Sequence, residues 1–210
     1  MKEVFNNYIE GKIKYERWQL IGILCLVASI SGFIGWVYEF VFYFFNGGMK
    51  QFYMQGGNFL PWINIYAIGA LLIIGLTQHF KKKPILVFFI SFFSTGILEY
   101  IAGLLVYVIG NGTRYWNYNV EILNFGNIDG FVCFRSVFFF GLSGLLLMYV
   151  ILPFCIYLSK KVNKKVFLIL SISLLSIILF DEFYNLIITK IFSLPTAGKF
   201  YKSIGFKYVE

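Results

Sequence analysis

The chain has 210 residues, of which 59% are hydrophobic, 21% aromatic and only 13% charged. Soluble domains carry about 25% charged residues, so this chain lacks the charge to cover a water-facing surface, and its apolar exterior must face lipid. The net charge of +8 would suggest nucleic acid in a soluble protein. Here the basic residues fall in short stretches between apolar runs, which fits membrane topology and argues against a nucleic-acid partner.

A membrane-spanning helix needs about 20 mostly apolar residues. Five segments are predicted: 20–45, 59–78, 85–109, 131–158 and 166–188. They make an all-α polytopic bundle, one transmembrane domain over 1–210. The residues before the first segment are polar and mixed in charge, and no small-residue cleavage site follows it, so it reads as a retained helix. The stretch Tyr8 to Trp18 reads either as an interfacial segment or as a solvated end. Asn46-Gly47-Gly48 and Gly56-Gly57-Asn58 flank the first connection, with Lys50 between them. Lys81-Lys82-Lys83-Pro84 turns the second segment into the third, and Lys160 to Lys165 turns the fourth into the fifth. The third connection, Asn111 to Asp129, is longer and holds Trp116, Tyr118 and several Asn.

Basic residues alternate along these connections. The N-terminal tail has Lys2, Lys12, Lys14 and Arg17, followed by Lys50 alone, then three lysines, then Arg114 alone, then four lysines. This is the positive-inside pattern of a protein with a cytoplasmic N-terminus. Lys190, Lys199, Lys202 and Lys207 at the far end run against it. Lysine-rich, arginine-poor usage points to a bacterial cell membrane.

Ionisable groups inside spans are costly and usually functional. Glu39, Glu99, Arg135, Asp181 and Glu182 fall within the predicted helices, and antiparallel packing puts all of them in one half of the bilayer, the outer half for an inside N-terminus. Ser29, Gly32, Trp36, Glu39 and Tyr43 follow helical spacing on the first segment; Thr95, Glu99, Ala102 and Gly103 do so on the third; Asp181 and Asn185 are one turn apart. Two readings stand. In one, the acids line a polar cavity, with Arg135 pairing Glu99 or Asp181. In the other, they form an ion-pair network that only fixes packing, or, for Glu39 and Glu182, simply reach the interface.

Catalytic signatures are missing: there is no GxSxG, HExxH or P-loop. The lone His79 and the scattered Cys25, Cys133 and Cys155 give no triad, zinc pattern or disulfide framework, so neither a metal nor a cofactor is expected.

Short motifs recur at these residues. Gly35-Trp36-Val37-Tyr38-Glu39 resembles the "GW-x-x-E" opening of bacterial ABC-transporter permeases of the CmpB-like, type IV class. Pro61 to Ala70 resembles that family's "PW-L-P-I-Y-G-x-G-A", Leu98-Glu99-Tyr100 with Gly103 its "LEY-x-x-G", Trp116 to Asn119 its "WDYS", and Asn127 to Cys133 its "N-x-x-G-x-I-C". The chain departs from the pattern at Asn64 (Pro in the family), Ala67 (Gly) and Asn117 (Asp), and Tyr107 stands where a second acid usually follows. The resemblance implies a multi-pass membrane transport component and agrees with the charge pattern at Trp36, Glu39 and Glu99. The predicted polar site is Trp36, Glu39, Glu99, Arg135 and Asp181, and the loop residues Trp116, Asn117 and Tyr118 read either as a lid over it or as part of an interfacial aromatic belt. As a permease subunit it would need a separate ATPase; a homo-oligomer is also compatible with the sequence. The alternatives are a membrane-embedded enzyme acting on a lipid-type substrate, the less favoured reading, and a structural or regulatory membrane subunit.

Overall fold

The computed structural model describes residues 1–46, 53–54 and 57–208. Gly47, Gly48, Lys50 and Gly56 of the first connection lie outside them. The helices are α1 (Lys2–Ile9), α2 (Arg17–Asn46), α3 (Asn64–Thr77, extended by a tighter turn to Phe80), α4 (Pro84–Ile109), α5 (Phe134–Lys161), α6 (Lys164–Phe192) and α7 (Ala197–Ser203). Two short strands, β1 (Tyr53–Met54) and β2 (Lys207–Tyr208), pair in parallel. The protein is an all-α, multi-pass membrane protein: α2, α4, α5 and α6 are each long and apolar enough to cross a bilayer.

The predicted second span, 59–78, is corrected by the structure. Helix α3 starts only at Asn64, because Pro61 biases the residue before it away from helical backbone and residues 58–63 run as an irregular segment. Asn64–Phe80 therefore falls in the shorter class of apolar helix. At 1.5 Å per residue it is about 25 Å long, against the roughly 30 Å of a hydrocarbon core.

The other ends follow local chemistry. Pro84 opens α4 at a position where its missing N–H costs nothing. Cys133 caps α5, its backbone N–H donating to Ser136 Oγ at 3.2 Å. Helices α5 and α6 each contain a π turn, at Leu147–Ile151 and Tyr184–Ile188. The first lies just ahead of Pro153, whose ring has no N–H to give to the preceding turn.

The chain divides into two compact units, Met1–Glu16 with Ile68–Lys161, and Arg17–Ala67 with Val162–Glu210. In the first, α4 packs on α5. The buried residues of α4 are Val87, Ser91, Thr95, Glu99 and Gly103, one stripe at four-residue spacing. Small residues let the backbones approach: Val137 lies over Gly96, Phe131 over Gly103, and Phe88 over Gly141. Tyr8 of α1 is fully buried in this unit, its hydroxyl 3.9 Å from Met148 Sδ and Lys81 Nζ 4.5 Å from its ring centre. The N-terminal segment is thus anchored on protein through Tyr8, rather than only resting on headgroups or solvated.

In the second unit α2 packs on α6. Ala28, Trp62, Ala67 and Ile178 form a buried cluster flanked by Leu60 and Leu175. Gly32 is glycine of necessity: a β-carbon there would fall inside the Trp62 indole. The Gly32 carbonyl also accepts a hydrogen bond from the Ile63 N–H at 3.2 Å.

The close α4–α5 approach yields a simple prediction. A β-carbon at Gly103 would sit 2.8 Å from the Phe131 ring, whereas one at Gly75 meets nothing within 4 Å. Gly103→Leu is expected to lower stability by about 1–3 kcal/mol, and Gly75→Leu to leave it unchanged or raise it. Unfolding in mixed micelles, followed by ellipticity, distinguishes the two; equal midpoints would contradict the packing.

Candidate functional site

Glu99 lies on the buried stripe of α4, four turns from Pro84 and so toward the end away from the Lys81–Lys83 turn. It is 4% exposed. Both of its carboxyl oxygens are engaged. Tyr118 donates its hydroxyl to Oε1 at 2.5 Å, and Ser136 Oγ lies 2.7 Å from Oε2. The Ser136 hydroxyl has one proton and faces two acceptors, since the Cys133 carbonyl is also 2.9 Å away. Burial first, and then the neighbouring Glu99 carboxyl, hold the Tyr118 phenol well above its ordinary range, so it remains a donor.

Arg135, the second residue of α5, pairs with Glu121 of the α4–α5 loop at 2.5 Å. Its guanidinium also lies over the Tyr118 ring, 5.3 Å from the centre. Tyr118 therefore contacts two of the ionisable side chains predicted within spans: its hydroxyl reaches Glu99 and its face receives Arg135. Depth matching points to Glu99 or Asp181 as partners of Arg135; the ion pair seen is with the loop residue Glu121.

The loop that delivers Tyr118 is held by its own polar groups. Tyr118 N–H donates to the Gly130 carbonyl at 3.0 Å, and Asn124 Nδ2 to the Tyr118 carbonyl at 2.8 Å. Trp116 Nε1 donates to the Phe131 carbonyl at 2.8 Å. Asn117 Oδ1 accepts from Asn119 N–H at 3.1 Å, an Asx turn. Arg114 donates to the Asp129 carbonyl at 2.8 Å and stacks on Tyr107 and Phe131. Of the three lid candidates, only Tyr118 reaches the carboxyl; Trp116 and Asn117 shape the loop that carries it. Gly130, at φ 77°, makes the turn beneath, where a β-carbon would meet Asn117 Oδ1 at 2.7 Å.

Trp36, Glu39 and Asp181 belong to the second unit. Trp36 stacks on Phe40, with ring centres 5.2 Å apart. Glu39 Oε1 accepts from the Tyr66 hydroxyl at 3.0 Å. Asp181 accepts backbone N–H bonds from Phe59 at 3.1 Å and Leu60 at 2.7 Å, and the Asn185 amide at 2.9 Å. Asn185 in turn accepts from the Ala197 N–H at 2.7 Å. The adjacent Glu182 accepts from Asn58 at 3.3 Å and Asn64 at 2.5 Å. These two acids clamp the irregular segment ahead of α3. Asn64, where the resemblance has proline, is one of the clamp's donors.

Sequence reasoning missed Ser136, Glu121 and Tyr66. Ser136 carried a signal, three residues after Cys133 at a helix start. Glu121 carried one too, as an acid of the loop that precedes an arginine predicted within a span. Among the described residues, no three His, Cys, Asp or Glu gather as a metal-binding group.

The family described as "Putative ABC-transporter type IV" matches residues 26–186. Comparison with curated proteins and with solved structures gave no match.

Proposed function

The chain belongs to this ABC-transporter type IV family, and on that premise we propose that it is a membrane-embedded permease component whose working site is centred on Glu99. The observation that carries this reading is a carboxyl within a span, 4% exposed, whose two oxygens meet hydroxyls from two different elements. A packing device needs no such arrangement, and an acid at this depth is expensive unless used. Glu99 would engage a proton, a small cation or a substrate amine. The Ser136 hydroxyl oxygen would accept a hydrogen bond from the protonated acid, and Tyr118 would donate one to the charged form. Arg135, compensated by Glu121, would supply positive potential across the Tyr118 ring. Lifting the 110–133 loop would remove Tyr118 from Glu99 and open the site, which makes that loop the lid.

The same reading sets the cytoplasmic face at the Lys81–Lys83 and Lys160–Lys165 turns, and the Glu99 site in the outer half of a bacterial cell membrane. The chain has no nucleotide-binding motif, so a type IV ABC transporter would draw its energy from a separate ATPase, docked at those basic turns. Trp36, Glu39 and Asp181 take packing and clamping roles.

The test is ligand-induced thermal stabilisation of the purified protein, screened over inorganic cations and small amines, with Glu99→Gln beside the wild type. Gln keeps the shape and the hydrogen-bonding capacity. Glu99→Gln is expected to weaken the stabilising ligand by at least about tenfold, the loss of roughly one charge-assisted contact, with the unliganded melting temperature little changed. Full retention of ligand stabilisation in the variant would sink the assignment.

A further inference from the structure

The α4–α5 loop turns apolar side chains outward. Between Arg114 and Asp129 the only Asp, Glu, Lys or Arg is Glu121, and its side chain is 10% exposed because it is spent on Arg135. The exposed side chains at the tip are Val120 (81%), Ile122 (52%), Leu123 (63%) and Phe125 (60%). Such a concentration of apolar surface is rarely left in water. Leu123 is held outward at φ 55°, a backbone region that a bulky residue seldom adopts. The bonds that fix it are local: Asn124 Nδ2 to the Tyr118 carbonyl, and Phe134 N–H to the Phe125 carbonyl at 3.1 Å.

The tip continues onto the exposed apolar flank of a helix of membrane-spanning length. The Phe125 ring stacks on Phe134 at 5.0 Å, and Phe134 stacks on Phe138 at 5.9 Å. Phe134 and Phe138 are exposed on α5, a helix of membrane-spanning length. At the adjoining end of α4, Val108 and Ile109 are exposed as well. An aromatic ladder therefore runs without a charged interruption from the helix flank to the loop tip.

We propose that residues 120–125 are a lipid-inserted finger, seated at the headgroup–acyl boundary of the leaflet at the Glu99 end, with phospholipid as its partner. An irregular segment can sit at that depth when its polar groups are satisfied within the protein and it stays out of the hydrocarbon core. Tyr118, which holds Glu99, sits at the base of this finger, and Glu121 within it turns inward onto Arg135. The cover of the site is thereby tethered to the bilayer, and lipid packing at that interface biases its position. This proposal goes beyond the permease reading and holds whether or not Glu99 binds a solute.

The experiment is power-saturation EPR on the full-length protein in phosphatidylcholine–phosphatidylglycerol nanodiscs. Nitroxide labels are placed singly at Leu123→Cys and Ile122→Cys, in a background carrying Cys25→Ala, Cys133→Ser and Cys155→Ala, with Lys82→Cys as the aqueous control. Both tip labels are expected to be more accessible to oxygen than to a water-soluble nickel chelate, the reverse of the control. Chelate accessibility equal to or above that of oxygen would place the tip in water and overturn the proposal. Low accessibility to both reagents would mean the tip is covered by protein, and would overturn it equally. A label at Val120→Cys is expected to shift from oxygen toward chelate when Leu123→Asp is added. If that charged variant fails to fold, the two single labels still decide the question.

Discussion

Asp181→Ala is expected to be among the most damaging single changes in this protein. It would leave the Phe59 and Leu60 N–H groups without their acceptor and release Asn185. Each donor left unsatisfied in a buried setting costs about 1–3 kcal/mol. Both bonds are partly buried, so a loss of about 3 kcal/mol is expected. The effect should spread beyond the carboxylate, because Asn185 also holds the start of α7 through Ala197, and the Tyr201 hydroxyl donates to the Phe59 carbonyl at 2.7 Å. Asp181→Asn should lose less, since one carbonyl oxygen can still accept from Leu60. Limited proteolysis of the 57–63 segment and the unfolding midpoint in mixed micelles together read the outcome. Equal stability of wild type and Asp181→Ala would show that the clamp contributes nothing, and would return Asp181 to the list of residues kept for function.

Arg135→Met is the second large effect. It strands Glu121, whose side chain is 10% exposed, beside the Tyr118 ring and the Glu99 carboxyl. Removing one partner of a buried ion pair typically costs 3–5 kcal/mol, mainly through the charge left behind, whereas replacing both partners by apolar residues is often close to neutral. The remaining exposure of this pair leaves the stranded carboxylate some water, so about 2–3 kcal/mol is expected for Arg135→Met. The double change Arg135→Met with Glu121→Met should recover most of that loss. A thermodynamic cycle over wild type, both single variants and the double measures the coupling directly. Additive losses would mean that the two side chains do not act as a pair. Recovered stability together with lost ligand stabilisation would separate the fold's need for the pair from the site's use of it.

The two acids of α6 and the acid of α4 looked alike as letters in apolar helices, and the fold gives them different work. Asp181 and Glu182 receive donors from a segment about 120 positions earlier in the chain. Glu99 receives a hydroxyl from a loop that follows it and another from the next helix. Helical periodicity placed Thr95, Glu99 and Gly103 on one face, because a helix fixes which side chains share a stripe. It gave no information about what would arrive opposite that stripe.

Composition alone determined that this chain lives in a bilayer, since so few charged residues cannot clothe a water-soluble surface. Apolar run length and proline and lysine punctuation placed the long helices, because spanning hydrocarbon requires the backbone to satisfy itself within each segment. The short motifs identified the family by the same local logic. Tertiary structure decided the rest. The irregular segment behind Pro61, which shortens α3, is held in place by a clamp between distant residues. The pairing of Arg135 with Glu121, and the descent of Tyr118 onto Glu99, depend on where a loop returns to the helices. Those contacts are set by the asparagine-rich bonds within the loop and by the close α4–α5 approach, which have no period in the sequence.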